Sequence, residues 1–379
     1  MVAFFGVISA IFVIWRGIFS VPGKRWGLKI GLSILVLLAA FKFQILHLFG
    51  GPMYFAPVLP GWILLTGAIL FTIHFIYFFL LGFSEAIQIF IRLIAGVLKR
   101  KLPAKFFNAR KWINPGLLFP AVMIAVTGIY NGTRVPDVKE VTLKLNQLPE
   151  KANGMRIVFL SDLHIDRMRD AQWLPQVVKK VNALKPDIIL LGGDLMDGKV
   201  ADLKEKMLPI SKLQAPMGVY GVPGNHEYYS GFNAWMKCLT EDCKINMMIN
   251  TIRRLENGIV LMGVADHSGR MFKDPATNFR QAFKEVAMDD KVLLLAHRPN
   301  LAKDAENLDI MLQISGHTHG GMLRGLDKII ARFNGGFVSG HYVRGNTQIY
   351  VSNGTGIWSG FPVRLTAPAE ITLITLERN

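Results

Sequence analysis

An all-α membrane region of about four helices, followed by an α/β domain on central sheets, is the architecture the sequence predicts. Three observations carry it. Apolar residues crowd the first 130 positions. From about Gly132 onward, short apolar runs alternate with amphipathic stretches, the pattern of strands and covering helices. The run Asp187-Ile-Ile-Leu-Leu reads as a buried parallel strand, and it ends at Gly192-Gly-Asp-Leu-Met-Asp, where open α/β sheets place ligands.

The membrane region comes first. With 51% hydrophobic residues, 25 Phe and a mean hydropathy of +0.32, the composition is unusual for a soluble protein. Four stretches have the length and character to cross a bilayer: about 2–15, 27–47, 60–82 and 114–130. The third has no charge from Gly61 to Phe83. The first is short. No basic residue precedes it and no small-x-small site follows, so it reads as an uncleaved helix rather than a signal peptide. Four such segments in succession favour membrane helices over the core of a soluble bundle. The expected domains are 1–130 and 131–379.

Between spans three and four, Ala86–Ile94 either continues the helix or lies along the interface. Lys99, Arg100, Lys101, Lys105, Arg110 and Lys111 follow. Beside two spans they read as a cytoplasmic loop, not a nucleic-acid patch. Residues 1–130 carry +11 of the +16 net charge, leaving +5 for the rest, so no nucleic-acid partner is expected. The first loop is basic as well, with Arg16, Lys24, Arg25 and Lys29, whereas the loop over 50–57 is uncharged. Loops one and three therefore face the cytoplasm, and residues 131–379 are expected outside it.

Two cysteines, Cys238 and Cys243, suit either a disulfide or two thiols on a helix; two sulfurs alone make no structural zinc site.

Asn131–Asp137 reads as a turn-rich linker. Strands are expected at 138–145, 156–160, 187–191, 218–222, 259–264, 291–296, 311–315, 348–352 and 371–376. Helices are expected near 170–184, 200–213, 232–242, 277–286 and 299–307.

Chemistry-bearing residues gather at the strand ends. They are Asp162 with His164, Asp194 with Asp197, Gly224-Asn225-His226-Glu227, His297-Arg298, and Gly316-His317-Thr-His319. Alternate residues of an extended segment point the same way, so each His or Asp pair can face one spot. A carboxylate has two oxygens, enough for Asp194 to bridge two ions. Asp, Asn and His without Cys suit Mn, Fe, Zn or Mg. Two such ions can clamp the attacking and leaving oxygens of a displacement at phosphorus.

These five blocks, in this order and each after a strand, resemble the calcineurin-like metallophosphoesterase superfamily. The resemblance covers roughly 150–379. The tail, from Gly345 through Pro368-Ala-Glu370, is similar to the membrane-anchored bacterial branch, in which Pro-Pro-Glu would be expected at 368–370. The resemblance implies a two-sheet sandwich flanked by helices, on a multi-pass bacterial cell membrane. It implies one divalent metal on Asp162, His164, Asp194 and His319, and a second on Asp194, Asn225, His297 and His317. It makes His226 the histidine that stabilises the phosphoryl oxygens or protonates the leaving group, and a metal-bridging hydroxide the nucleophile.

Lesser roles remain. Asp197 is expected to cap a helix or orient a ligand. Glu227 is a supporting or turn residue. Arg298 and His267 are candidates for substrate contact. His47, His74 and His341 are taken as structural, and Glu85 with Arg92 as the ionisable pair deep in the membrane region.

Leu326, Ile329, Ile330 and Phe333 fall at helical spacing, with Arg324, Lys328 and Arg332 on other faces. This segment is either packed on its own domain or interfacial. The second reading predicts the lipid bilayer as partner and a phosphorylated amphiphile as substrate. The alternatives are a cytoplasm-facing nucleotide-lipid pyrophosphatase and a catalytically silent membrane scaffold.

Overall fold

The computed structural model describes residues 2–51, 56–305 and 308–379. The chain divides into two compact units, 1–130 and 131–379.

Apolar sequence makes the first unit helical throughout. Its helices are α1 (Val2–Val13), α2 (Trp26–Ala40), α3 (Lys42–Gly50), α4 (Gly61–Val97), α5 (Ala104–Gly116) and α6 (Leu118–Thr133). Among the described residues, Gly61–Val97 and Asn108–Thr133 are long and apolar enough to cross a membrane. The α2–α3 pair, bent by 69°, makes a third if it counts as one span. The apolar helix Phe4–Ile18 rises only about 22 Å against a hydrocarbon core of about 30 Å. The expected four spans therefore become two, or three with the bent pair. Residues 86–94 continue α4, and the expected linker starts late because α6 runs on to Thr133. The uncharged loop over 50–57 lies partly outside the described residues, at 52–55, as do 306–307 of the helix expected at 299–307.

Glu85, the only acid in this unit, is buried. Its Oε2 lies 3.5 Å from Arg16 and 3.8 Å from Arg110, and its Oε1 accepts from Asn114 Nδ2 at 3.2 Å. These contacts bring the end of the first helical stretch, α4 and α5 together at one end of the unit.

The second unit holds twelve strands among its described residues: β1 (Asp137–Leu145), β2 (Arg156–Leu160), β3 (Ile188–Leu191), β4 (Val219–Gly221), β5 (Asn246–Met247), β6 (Thr251–Arg254), β7 (Ile259–Gly263), β8 (Lys291–Leu295), β9 (Ile310–Ser315), β10 (Gly340–Arg344), β11 (Thr347–Val351) and β12 (Glu370–Arg378). They form two six-stranded sheets, ordered β1-β12-β2-β3-β4-β5 and β10-β11-β9-β8-β7-β6. Alternation decides the layers. Ile157 and Phe159 pack with Leu293, Leu295 and Ile314 of the other sheet. Val158 and Leu160 face outward onto α7 (Trp173–Ala183), α8 (Val200–Met207) and α10 (Phe232–Glu241), with α9 (Asn225–Ser230) between. On the second sheet, Val292 and Leu294 pack against α12 (Phe279–Ala282) and α13 (Leu301–Asp304); α11 (Gly269–Phe272) precedes them and α14 (Leu326–Phe333) follows.

Strand pairs β2–β3–β4 are parallel, and so are β7–β8–β9–β11. Within each sheet the loops after β2, β3 and β4, or after β8 and β9, therefore leave at one edge. That is how five distant sequence blocks meet.

The helix expected at 200–213 tightens into a 3-10 turn from Leu208 to Lys212, where Pro209 cannot donate to an α-helical bond. Cys238 and Cys243 are free, buried thiols, so no disulfide forms.

Candidate metal centre

Six of the seven expected ligands, together with His226, converge in three overlapping groups, the donor atoms of each within 4.8 Å of one another: Asp162–His164–His319, His164–Asp194–His226 and Asp194–His297–His317. Asn225 joins the third group, its Oδ1 3.3 Å from His297 Nε2. Asp194 Oδ2 lies 3.9 Å from His164 Nε2 and 3.2 Å from His297 Nε2, so it stands between the outer groups.

The backbone that presents them is not extended, as the alternation argument assumed. Asp162, His164, Asp194, His317 and His319 have φ of 56°, 46°, 53°, 73° and 50°. These are left-handed conformations, which Asp, Asn and His visit more readily than other side chains and which cost about 1–3 kcal/mol each. Two glycines make room. A Cβ at Gly224 would collide with the Asp194 carboxylate, and one at Gly316 with Ser161 Oγ and Asp162.

The outer nitrogens fix the rings. His164 Nδ1–H donates to Asp197 at 3.1 Å, and His297 Nδ1–H donates to the Gly192 carbonyl at 2.7 Å. Both rings then turn Nε2 toward the site, the nitrogen that would bind a cation. Burial disfavours a charge on His297, but the Asp194 carboxylate, 3.2 Å from that Nε2, outweighs it and raises the ring to about 10, so a cation there displaces a proton. His317 and His319 differ: Arg298 donates to His317 Nε2 at 2.9 Å, and Arg364 to His319 Nδ1 at 3.1 Å. Burial, with Arg298 against His317 and with His164 and Arg364 against His319, holds both rings well below the usual imidazole range and so neutral. Binding through their inward nitrogens requires the guanidinium contacts to loosen. The converging carboxylates, amide oxygen and imidazoles otherwise match two divalent ions of hard or borderline character.

His226 lies in the same cluster. Burial disfavours its charge, yet the Asp194 and Asp197 carboxylates outweigh that and raise it to about 9. Its Nδ1–H donates to Asp197 at 2.5 Å. Asp197 thus orients two imidazoles rather than capping a helix. Glu227 is no turn residue: it is fully buried and accepts from the backbone N–H groups of Asp194, Leu195 and Gly224 at 3.0, 2.7 and 2.7 Å. Burial first, then Asp194, pushes its carboxyl up to about 7.

Arg298 is held by Asp266 at 2.7 Å and reaches Asn225 Oδ1 at 3.1 Å, which puts its guanidinium beside the candidate ligands. His267 is exposed and belongs to none of the three groups; its neighbours Asp266 and Ser268 both touch Arg298. Two contributors were missed in the sequence. Asp266 follows the end of β7 by three residues, the same signal that exposed the ligands. Arg364, nearly fully buried, donates to the carbonyls of Asn353 and Gly356 at 2.7 and 2.6 Å and of His319 at 3.2 Å. Its place in Pro362-Val-Arg364, within the tail that carries the resemblance, was the available signal.

A family model described as calcineurin-like phosphoesterase matches residues 155–321. A transmembrane protein with metallophosphoesterase domain from Danio rerio is 32% identical over 322 residues, covering 79% of this chain and 74% of its own. An uncharacterized metallophosphoesterase from Helicobacter pylori is 31% identical over 279 residues, 73% of each. A transmembrane protein with metallophosphoesterase domain from Bos taurus is 32% identical over 269 residues, 67% of this chain and 60% of its own.

Proposed function

The chain belongs to the calcineurin-like phosphoesterase family and is a metal-dependent phosphoester hydrolase, and from that premise we propose that it cleaves a phosphorylated amphiphile, such as a phospholipid, on the outer side of a bacterial cell membrane that it crosses several times. The observation that carries the substrate class is α14. Its Ile329 and Phe333, one turn apart, are 54% and 80% exposed; Met271, Phe272, Met288 and Val343 are the other large apolar side chains exposed among the described residues of this unit. Lys328 and Arg332 stand beside them, and the helix begins seven residues after His319. Apolar side chains flanked by bases, so near the candidate ligands, suit a lipid surface with its phosphates.

Asp162, His164, Asp194 and His319 would hold one ion, and Asp194, Asn225, His297 and His317 the other. Two divalent ions bound there neutralise phosphate charge and supply an activated water near neutral pH. His226, with Nδ1–H engaged by Asp197, holds its Nε2 proton for the leaving oxygen. Arg298 offers N–H donors to a phosphate oxygen.

The membrane orientation draws support from the Glu85 cluster. Arg16 and Arg110 meet the same carboxylate, which brings the two basic loops to one end of the helical unit. The positive-inside rule asks for the same arrangement if the bent α2–α3 pair crosses.

The test uses the full chain loaded with Mn in mixed micelles. Asp194→Ala removes bound metal and all hydrolysis; hydrolysis unchanged in that variant ends the metal-site assignment. Ile329→Glu with Phe333→Glu loses activity on a phospholipid and keeps activity on a soluble aryl phosphoester. If both activities fall, α14 is core. If neither falls, the substrate is a soluble phosphoester.

A further inference from the structure

The helical unit contains a cavity of about 610 Å³, within the range of small-ligand pockets. One wall is a single face of α2 and its cap: Arg25, Leu28, Lys29, Leu32, Leu35 and Ala39. These positions follow the helical repeat, so the wall runs about 21 Å, longer than one leaflet's roughly 15 Å of hydrocarbon. The polarity is graded along it. Both cations lie at one end, and from Leu32 to Ala39 the wall is apolar. Leu28 and Leu35 remain 57% and 45% exposed, so the slot opens sideways toward lipid.

The charge balance at the polar end is incomplete. Glu85 is the unit's only acid, and Arg16 and Arg110 engage it. Lys29 Nζ donates to the Val21 carbonyl at 2.8 Å and also approaches the rings of Phe19 and Trp26, so it is positioned but has no carboxylate. Arg25 is exposed and makes no side-chain hydrogen bond or ion pair among the described residues. Deeper in the slot, His74 is buried; its Nε2 meets Ser9 Oγ at 2.9 Å, while its Nδ1 has no partner among the described residues.

We propose that this slot binds one anionic phospholipid. An acyl chain lies along the α2 face, the phosphate meets Arg25 and Lys29, and an ester oxygen comes within reach of His74. The anionic cytoplasmic leaflet supplies such lipids at the surface toward which basic loops are drawn. The site is separate from the candidate metal centre and does not depend on the catalytic reading.

The experiment is native mass spectrometry of the full chain in a mild detergent, titrated with phosphatidylglycerol or with phosphatidylcholine of the same chains. The wild type is expected to take up one phosphatidylglycerol about tenfold more tightly than phosphatidylcholine. Arg25→Gln with Lys29→Gln, both at accessible positions, brings the two lipids to equal affinity. Leu35→Trp, which fills the slot, removes both adducts. Hydrolysis of a soluble aryl phosphoester, unchanged in all three proteins, verifies the fold. Equal binding of the two lipids by the wild type overturns the proposal. So does a preference that survives the double glutamine variant, or adducts that survive Leu35→Trp.

Discussion

The carboxylate of Asp197 lies 2.5 Å from Nδ1 of His226, and the same group reaches 3.1 Å to His164 on its other side. One acid therefore orients the rings of a candidate ligand and of the candidate proton donor. Burial works against its charge, but His164 and His226 hold it down to about 2.

Asp197→Asn is expected to lower turnover of an aryl phosphodiester about 10–100-fold, the usual cost of losing a partner behind a ligand. An amide offers one accepting oxygen to two N–H donors, so one ring is freed to rotate. Metal content and rate should fall together. Wild-type rates in this variant would remove Asp197 from the site.

Glu227→Ala leaves three buried backbone N–H groups without an acceptor. At about 1–3 kcal/mol each, the loss should reach several kcal/mol. Thermal denaturation should show a large drop in Tm, and Glu227→Gln, with a single oxygen, an intermediate one. A Tm within a degree of wild type for Glu227→Ala would show that solvent reaches those groups.

Burial pushes the Cys243 thiol up to about 12 and raises Cys238 as well. A thiol titrating that high holds almost no reactive thiolate at pH 8. A chromogenic disulfide reagent should therefore find no fast-reacting thiol in the native protein and two after denaturation. Two missing thiols in denatured, unreduced protein would reveal a disulfide after all.

An alkaline phosphatase fused after residue 135 should be active in bacterial cells. An inactive fusion, paired with an active cytoplasmic reporter at the same site, reverses the orientation and brings back the cytoplasm-facing pyrophosphatase reading.

The ligand blocks were legible because each follows an apolar run that forms a buried parallel strand. Ile188–Leu191 before Asp194 and Ile310–Ser315 before His317 are buried throughout. Strands β6 and β10 gave no such signal. They are sheet edges, and Thr251–Arg254 and Gly340–Arg344 face solvent with charged residues, as edges commonly do. The left-handed turns at the ligands were also invisible, because spacing alone does not report φ. Arg364 reaches His319, and Asp266 reaches Arg298, across tens of positions, which no local pattern encodes. The count of about four spans is approximate: two helices are long and apolar enough to cross, the pair bent at Phe41 makes a third if it counts as one span, and the first apolar helix is short.

Strand β12 lies between β1 and β2, and among the described residues it is the only partner β1 has in the sheet. Asp137–Leu145 must therefore wait for Glu370–Arg378 to leave the ribosome. At about 5–20 residues per second, that interval is roughly ten to fifty seconds. Through that time the nascent domain carries an unmated strand, while β2 to β5 have all been synthesised. The domain reaches its native topology only once Glu370–Arg378 has been made, and Asp137–Leu145 stays unmated in the meantime.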